Sequence, residues 1–329
     1  MGKTYTGIEI NLGTLKMVQC DGNSIKSIVL EPLSDGLMSD GRITSYEAMG
    51  DLIKATARRH GGQAKQVAFV IPYADGLTRR IQMPAMSAHD LEINLPYEFR
   101  DYITQGKDKY CYDYALLETQ MLPDGTPESF DLLAVAVEKQ TIEDYERMFS
   151  RAGFKLAKAM PTSAALQNLI RNNQNAQANC CIIDYSSETT ALHFFTNAAY
   201  DVTRTIEIGM VDVDNALADA YGVDAHMANS YRTTNYQDSQ TCEAARSVYA
   251  SIAVEVGRAL NFYSFNNPST SIDTSYYCGI GSTVDPLIKT VSSHVEVRHR
   301  SISEIMLPAN DEFALLRSQC PAAVGATMG

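Results

Sequence analysis

One local order occurs twice in this chain and limits its fold more than any other feature. Three short strand patterns run from Tyr5 to Ile10, Leu15 to Cys20 and Ser24 to Leu30, with turns near Leu12-Gly13 and at Asp21-Gly22-Asn23. A helix pattern follows, with Met49, Leu52, Ile53, Thr56 and Ala57 on one face, a start signal at Thr44-x-x-Glu47 and a stop at Gly61-Gly62. A buried strand, Val67 to Ile71, is closed by Pro72.

The order returns about 175 residues later, with strands Cys180 to Asp184, Thr190 to Phe195 and Val202 to Ile208 and turns at Ser186-Ser187 and Asn197. A short helix carrying Val213, Leu217 and Tyr221 follows, then a long one carrying Val248, Ile252, Val256, Leu260 and Tyr263. A strand from Ser275 to Cys278 leads into Gly279-Ile280-Gly281. Two copies of one α/β unit therefore predict a duplicated two-lobe fold, and 329 residues, 45% of them hydrophobic, suffice for two cores.

Between the copies, Leu91, Leu95, Phe99, Tyr102 and Ile103 predict a helix that Pro96 should kink or split. Two strands, Tyr112 to Leu117 and Asp131 to Val137, and a helix begun by Thr141-x-x-Asp144 and ended by Gly153 complete an inserted α+β subdomain. The predicted division is a first lobe over 1–86, the insertion over 87–153, the continued lobe and link over 154–179 and a second lobe over 180–308. A helical tail over 309–329 returns to the body. Within that link, Pro161 to Ile170 reads as a helix and Arg171 to Asn179 as a loop.

A net charge of -12 disfavours nucleic acid and anionic lipid as ligands, because the average field repels phosphate. Seven cysteines without a Cys-x-x-Cys spacing predict reduced thiols rather than disulfides or zinc. No apolar stretch approaches the roughly 20 residues that cross a bilayer. The opening Met1-Gly-Lys-Thr-Tyr has no basic segment before an apolar run, so the expectation is a chain that is not exported. Walker, zincin and hydrolase-elbow motifs are missing, and His193 has no neighbouring nucleophile in sequence.

Several short runs together resemble the PilM family of type IV pilus assembly proteins and its relative FtsA. They are Gly7-Ile8-Glu9-Ile10 through Lys16-Met17-Val18, Tyr97-Glu98-Phe99 with Tyr102-Ile103, and Asp113-Tyr114. Leu133 to Ala136, Ala152-Gly153-Phe154, Ile182-Ile183-Asp184 through Leu192, Arg258 to Tyr263 and Cys278 to Ser282 continue the series in the family's order. The resemblance implies an actin/Hsp70/ribonuclease-H-like fold with the small inserted subdomain.

It also implies ATP and Mg²⁺ held between two hairpin turns. The implied nucleotide-binding residues are Glu9, Asn11, Gly13, Thr14 and Lys16 in the first hairpin, and Asp184, Ser186, Ser187, Thr189 and Gly209 at the second. Gly279, Gly281 and Ser282 form the adenosine side, and Asp184 and Glu9 hold the metal through water. The chain departs from the pattern at Glu9, Asn11 and Leu12, at Tyr185-Ser186-Ser187 and at Ile280. These departures predict weak ATPase activity at most.

Bland readings stand beside these. Asp184 can be simple turn chemistry, Glu9 can face solvent between Ile8 and Ile10, and Lys16 can be an exposed strand lysine. Tyr97, Phe99, Tyr102, Tyr112 and Tyr114 read either as a partner-binding face or as the subdomain's own core.

The function implied is a cytoplasmic scaffold at the inner face of the plasma membrane. It would dock the cytoplasmic tail of a single-span PilN-like protein, with pilus motor ATPases as further contacts and no membrane insertion of its own. The alternatives are an ATP-hydrolysing member of the actin/Hsp70 superfamily and an FtsA-like division scaffold.

Overall fold

The computed structural model describes residues 4–328. The chain forms two units, one of residues 1–172, 307–310 and 322–329, the other of 173–306 and 311–321.

The first unit is built on a five-stranded sheet whose centre is the hairpin of β1 (Thr6–Asn11) and β2 (Thr14–Cys20). β3 (Ile25–Pro32) extends the meander, and a two-stranded ribbon of β4 (Met38–Ser39) and β5 (Arg42–Ile43) follows. After α1 (Tyr46–His60), β6 (Gln66–Ile71) pairs parallel to β1. The α1 N-cap is Ser45, whose side chain accepts from the Ala48 amide, one residue later than the Thr44 box expected from sequence.

The insertion is a three-stranded antiparallel sheet, ordered β7 (Gly76–Pro84), β9 (Pro127–Glu138), β8 (Tyr110–Met121). Against it lies α2 (Ala88–Glu98), placing Leu91, Leu95 and Phe99 on Ile81, Leu132 and Ala134. α2 stops two residues after Pro96, so the expected helical run to Ile103 is cut short.

α3 (Lys139–Ala152) begins directly at the end of β9 without a side-chain cap, and Thr141 lies inside it. Tyr145, Met148 and Phe149 of α3 pack on Phe69 in the first unit's main core, with ring centroids 4.9 and 5.1 Å apart for the two aromatic pairs. The expected boundaries at 87 and 153 thus leave out β7 and take in α3. β10 (Lys155–Pro161) then adds parallel to β6, and α4 (Thr162–Arg171) follows.

The second unit repeats this plan. Its sheet runs β13 (Ala199–Ile206), β12 (Thr190–Thr196), β11 (Cys180–Tyr185), β14 (Thr274–Cys278), β15 (Arg298–Ser301). The first sheet has the same order, β3-β2-β1-β6-β10, with the three-stranded meander antiparallel and the remaining two strands parallel in both.

α5 (Met210–Tyr221), α6 (Ala225–Thr234) and α7 (Glu243–Asn266) intervene before β14, and α8 (Asp285–His294) before β15. Met210, Val213 and Leu217 meet Tyr249, Ile252 and Val256 in the core beneath them.

The tail is not one helix. Two short 3-10 turns precede α9 (Pro321–Thr327), which lies on the first sheet's other face. A Cβ on Gly7 would stand 2.0 Å from the Ala323 carbonyl oxygen, and one on Gly325 equally close to that of Ala165. Both glycines are therefore needed for the backbones to touch.

Candidate nucleotide-binding hairpins

The two-residue turn Leu12-Gly13 fixes the register of the first hairpin, with Gly13 at φ 88° and Asn11 opposite Thr14. That register sets Glu9 directly across from Lys16. Both faces of this sheet are covered, so the alternation that buries Ile8 and Ile10 on one side buries Glu9 on the other. Glu9 is 5% exposed and Lys16 3%.

The reading of both as solvent-facing is thereby corrected. Their side chains form an ion pair, with Lys16 Nζ 3.1 Å from Glu9 Oε1. Asn11 Nδ2 donates to the same oxygen at 2.7 Å, while Glu9 Oε2 is buried without a hydrogen-bond partner.

At the second hairpin, the Ser186 amide donates to the Thr189 carbonyl at 3.0 Å and closes the loop. The first amides of α5, Met210 and Val211, donate to the carbonyls of Ser186 and Ser187 at 3.1 and 2.8 Å. Gly209 lets the helix come this close, since a Cβ there would stand 2.4 Å from the Ser187 carbonyl oxygen. Its own amide donates to Asp212 Oδ2, which caps α5.

Asp184 ends β11 with Oδ1 buried and unpartnered. Beside it, Gly279 adopts φ 85°, and a Cβ there would come 2.1 Å from Asp184 Oδ1. Gly279 is thus required twice, by its backbone conformation and by the carboxylate. Ser282 Oγ donates to the Gly279 carbonyl at 2.6 Å and meets Ser318 Oγ at 2.9 Å, so the 311–321 segment braces this loop.

Two departures from the family pattern are absorbed by packing. Tyr185 is fully buried on the core side of the sheet and its hydroxyl lies 3.2 Å from His299 Nε2. Ile280 packs against the same core.

His299 also meets Ser275 Oγ through Nδ1, and His193 meets Thr203 Oγ1. Burial pushes both imidazoles down to about 4, so they are neutral near pH 7 and serve as packed hydrogen-bonding groups. The departures at Glu9, Asn11 and Leu12 are not absorbed in this way. Asn11 and Leu12 stay half-buried at the turn, and the Asn11 side chain is committed to Glu9.

The acid and loops of the second unit therefore fit a phosphate and a hydrated divalent cation: an orphaned carboxylate oxygen, a hydroxyl-bearing loop and two obligatory glycines. The first hairpin fits less well, because its one acid is neutralised by Lys16. No group of three or more His, Cys, Asp or Glu suited to direct metal ligation occurs among the described residues.

The expected partner residues divide by burial. Phe99 is fully buried and tilts onto Tyr112, with centroids 5.6 Å apart, while Tyr112 and Tyr114 pack against the subdomain core. Tyr97 and Tyr102 are about half exposed, as is Ile93, at 52%, one turn before Tyr97 on α2. Each ring carries a cation, Lys107 Nζ 3.8 Å from the Tyr97 centroid and the Arg79 guanidinium 3.9 Å from that of Tyr102. Sequence singled out these tyrosines but not Arg79, Lys107 or Ile93, which lie on other elements or turns of the subdomain.

The family model for type IV pilus assembly protein PilM matches residues 7–308. The chain belongs to that family. Among solved structures it is similar to the PilM–PilN type IV pilus biogenesis complex, with a TM-score of 0.80 and 19% identity over 98% of this chain and 97% of that one. It also resembles the ethanolamine utilization protein EutJ from Carboxydothermus hydrogenoformans, at TM-score 0.62 and 12% identity over 99% of this chain and 90% of that one. The archaeal actin homolog Ta0583 in complex with ADP gives TM-score 0.50 and 14% identity, covering 99% and 98%.

These likenesses show the actin-like two-lobe fold. No curated protein sequence matches. Membership in the PilM family makes this a type IV pilus assembly protein of actin-like fold, and no helix among the described residues is long and apolar enough to cross a membrane.

Proposed function

We propose that the chain is a scaffold of the pilus machine, working in the cytoplasm against the inner membrane. It docks the cytoplasmic segment of a PilN-like membrane protein and does not turn ATP over rapidly. The family match over residues 7–308 carries this reading. The similar structure that pairs PilM with PilN supplies the kind of partner.

The face of Ile93, Tyr97 and Tyr102 suits such a segment, because exposed aromatic rings with cations above them give large contact area at low entropic cost. In cells, a fluorescent fusion should follow the membrane and become diffuse when the gene for the PilN-like partner is deleted. Membrane staining that survives the deletion would contradict docking through that partner.

Nucleotide enters as a bound ligand rather than a fuel. Asp184 holds hydrated Mg²⁺, the Ser186–Thr189 loop and Gly209 face phosphate, and Gly279, Gly281 and Ser282 accept the adenosine side. The Glu9–Lys16 pair leaves too little negative charge at the first hairpin to organise a metal and an attacking water. Mg-ATP at about 100 times its Kd should stabilise the chain by about 2.7 kcal/mol. The resulting rise in unfolding temperature should vanish in Asp184→Ala. No rise at millimolar Mg-ATP would remove nucleotide from the account and leave the scaffold reading standing.

A further inference from the structure

β13 is the terminal strand of the second unit's sheet, so among the described residues one of its edges has no strand beside it. Its pairing with β12 sets Arg204 opposite Leu192 and Val202 opposite Phe194. Phe194 stacks on Tyr263 of α7 at 4.0 Å with the rings 7° from parallel, so Val202, Arg204 and Ile206 share the face that α7 covers.

Between β13 and α7 lies a groove lined by Arg204 and Ile206 from the strand and by Glu255, Arg258, Ala259 and Phe262 from the helix. Phe262 is 55% exposed with the Arg204 guanidinium 5.4 Å from its ring centroid, and Phe265, one turn on, is 84% exposed. Exposed aromatic rings of this kind are enriched at protein interfaces.

The charges select what covers it. Two guanidinium groups line the groove against a single carboxylate, Glu255, which Arg258 already holds through an ion pair. With Arg258 and Glu255 paired to each other, Arg204 gives the groove a net positive charge on a chain whose total is -12.

We propose that the β13–α7 groove binds an extended acidic segment of a partner protein by strand addition. The segment's backbone pairs with the open edge of β13, and alternate side chains enter the groove. Period two then requires an acidic residue against Arg204 and an apolar residue two positions away against Phe262. This site stands on a different unit from the Tyr97 and Tyr102 face and does not depend on it.

The test uses a fluorescein-labelled peptide in which threonine alternates with glutamate and valine, titrated against the full chain by anisotropy. Saturable binding is expected, at least tenfold weaker for Arg204→Glu and for Phe262→Ala, two exposed positions where substitution leaves the core intact. The same peptide with lysine for glutamate should also bind at least tenfold more weakly, and hydrogen exchange should slow in β13 on binding. Three results would overturn the proposal: no saturable binding at millimolar peptide, equal binding of the lysine version, or affinity that survives both substitutions. Exchange protection produced by self-association of the chain without peptide would overturn it as well.

Discussion

Lys16→Met should lower stability by about 3–5 kcal/mol, because it leaves Glu9 buried without its counter-charge. Asn11 still donates to Oε1, but one amide does not replace an ammonium, and Oε2 already has no partner. The double variant Glu9→Gln with Lys16→Met should regain most of the loss, since it removes the charge as well as its partner. Urea unfolding followed by circular dichroism reads the effect as a fall in midpoint at unchanged slope. A single variant within about 0.5 kcal/mol of the parent, the range of ordinary surface substitutions, would mean that the pair is hydrated and that Glu9 is available to a metal after all.

Arg232→Ala should cost the second unit a similar amount. Arg232 is 3% exposed and holds Asp214 through two bonds, Nε to Oδ1 at 2.6 Å and Nη2 to Oδ2 at 3.1 Å. Asn229 adds a third at 2.9 Å, so the network ties α6 to α5 from within. Truncation leaves a buried carboxylate with one amide donor, at a cost of about 3–5 kcal/mol. Arg232→Lys should recover only part, because an ammonium cannot supply the planar two-bond contact. Hydrogen exchange should show lost protection in α5 and α6 with β1 and β2 unaffected, and uniform loss across both sheets would contradict the local origin of the effect.

The duplicated hairpins were legible because their turns and alternation are local. Leu12-Gly13 and Ser186-Ser187 mark the loops; Gly7 to Asn11 alternates as a strand should, and Cys180 to Ile183 is a short apolar run of strand length. β7 and β10 were not. Gly76–Pro84 carries two adjacent arginines, and Lys155–Pro161 carries two lysines and little β-branched side chain; each becomes a strand only through its partner, β9 or β6.

The Glu9–Lys16 pair was half legible. A two-residue turn at Leu12-Gly13 already sets the two opposite each other, but their burial depends on α9, whose Ala323 lies against Gly7 from over 300 residues away. Phe99 shows the same limit. Its spacing marks an apolar helix face, and only the sheet packed beneath α2 decides that this ring is core while Tyr97 and Tyr102 stay outside.

The scaffold account is tested most directly by titrating the labelled cytoplasmic segment of the PilN-like partner against the purified chain. The account predicts saturable binding with Kd of about 100 μM or tighter, near -5.5 kcal/mol, weakened at least tenfold by Tyr97→Ala with Tyr102→Ala. No saturation with folded protein, or equal affinity in the double variant, would contradict docking at this face.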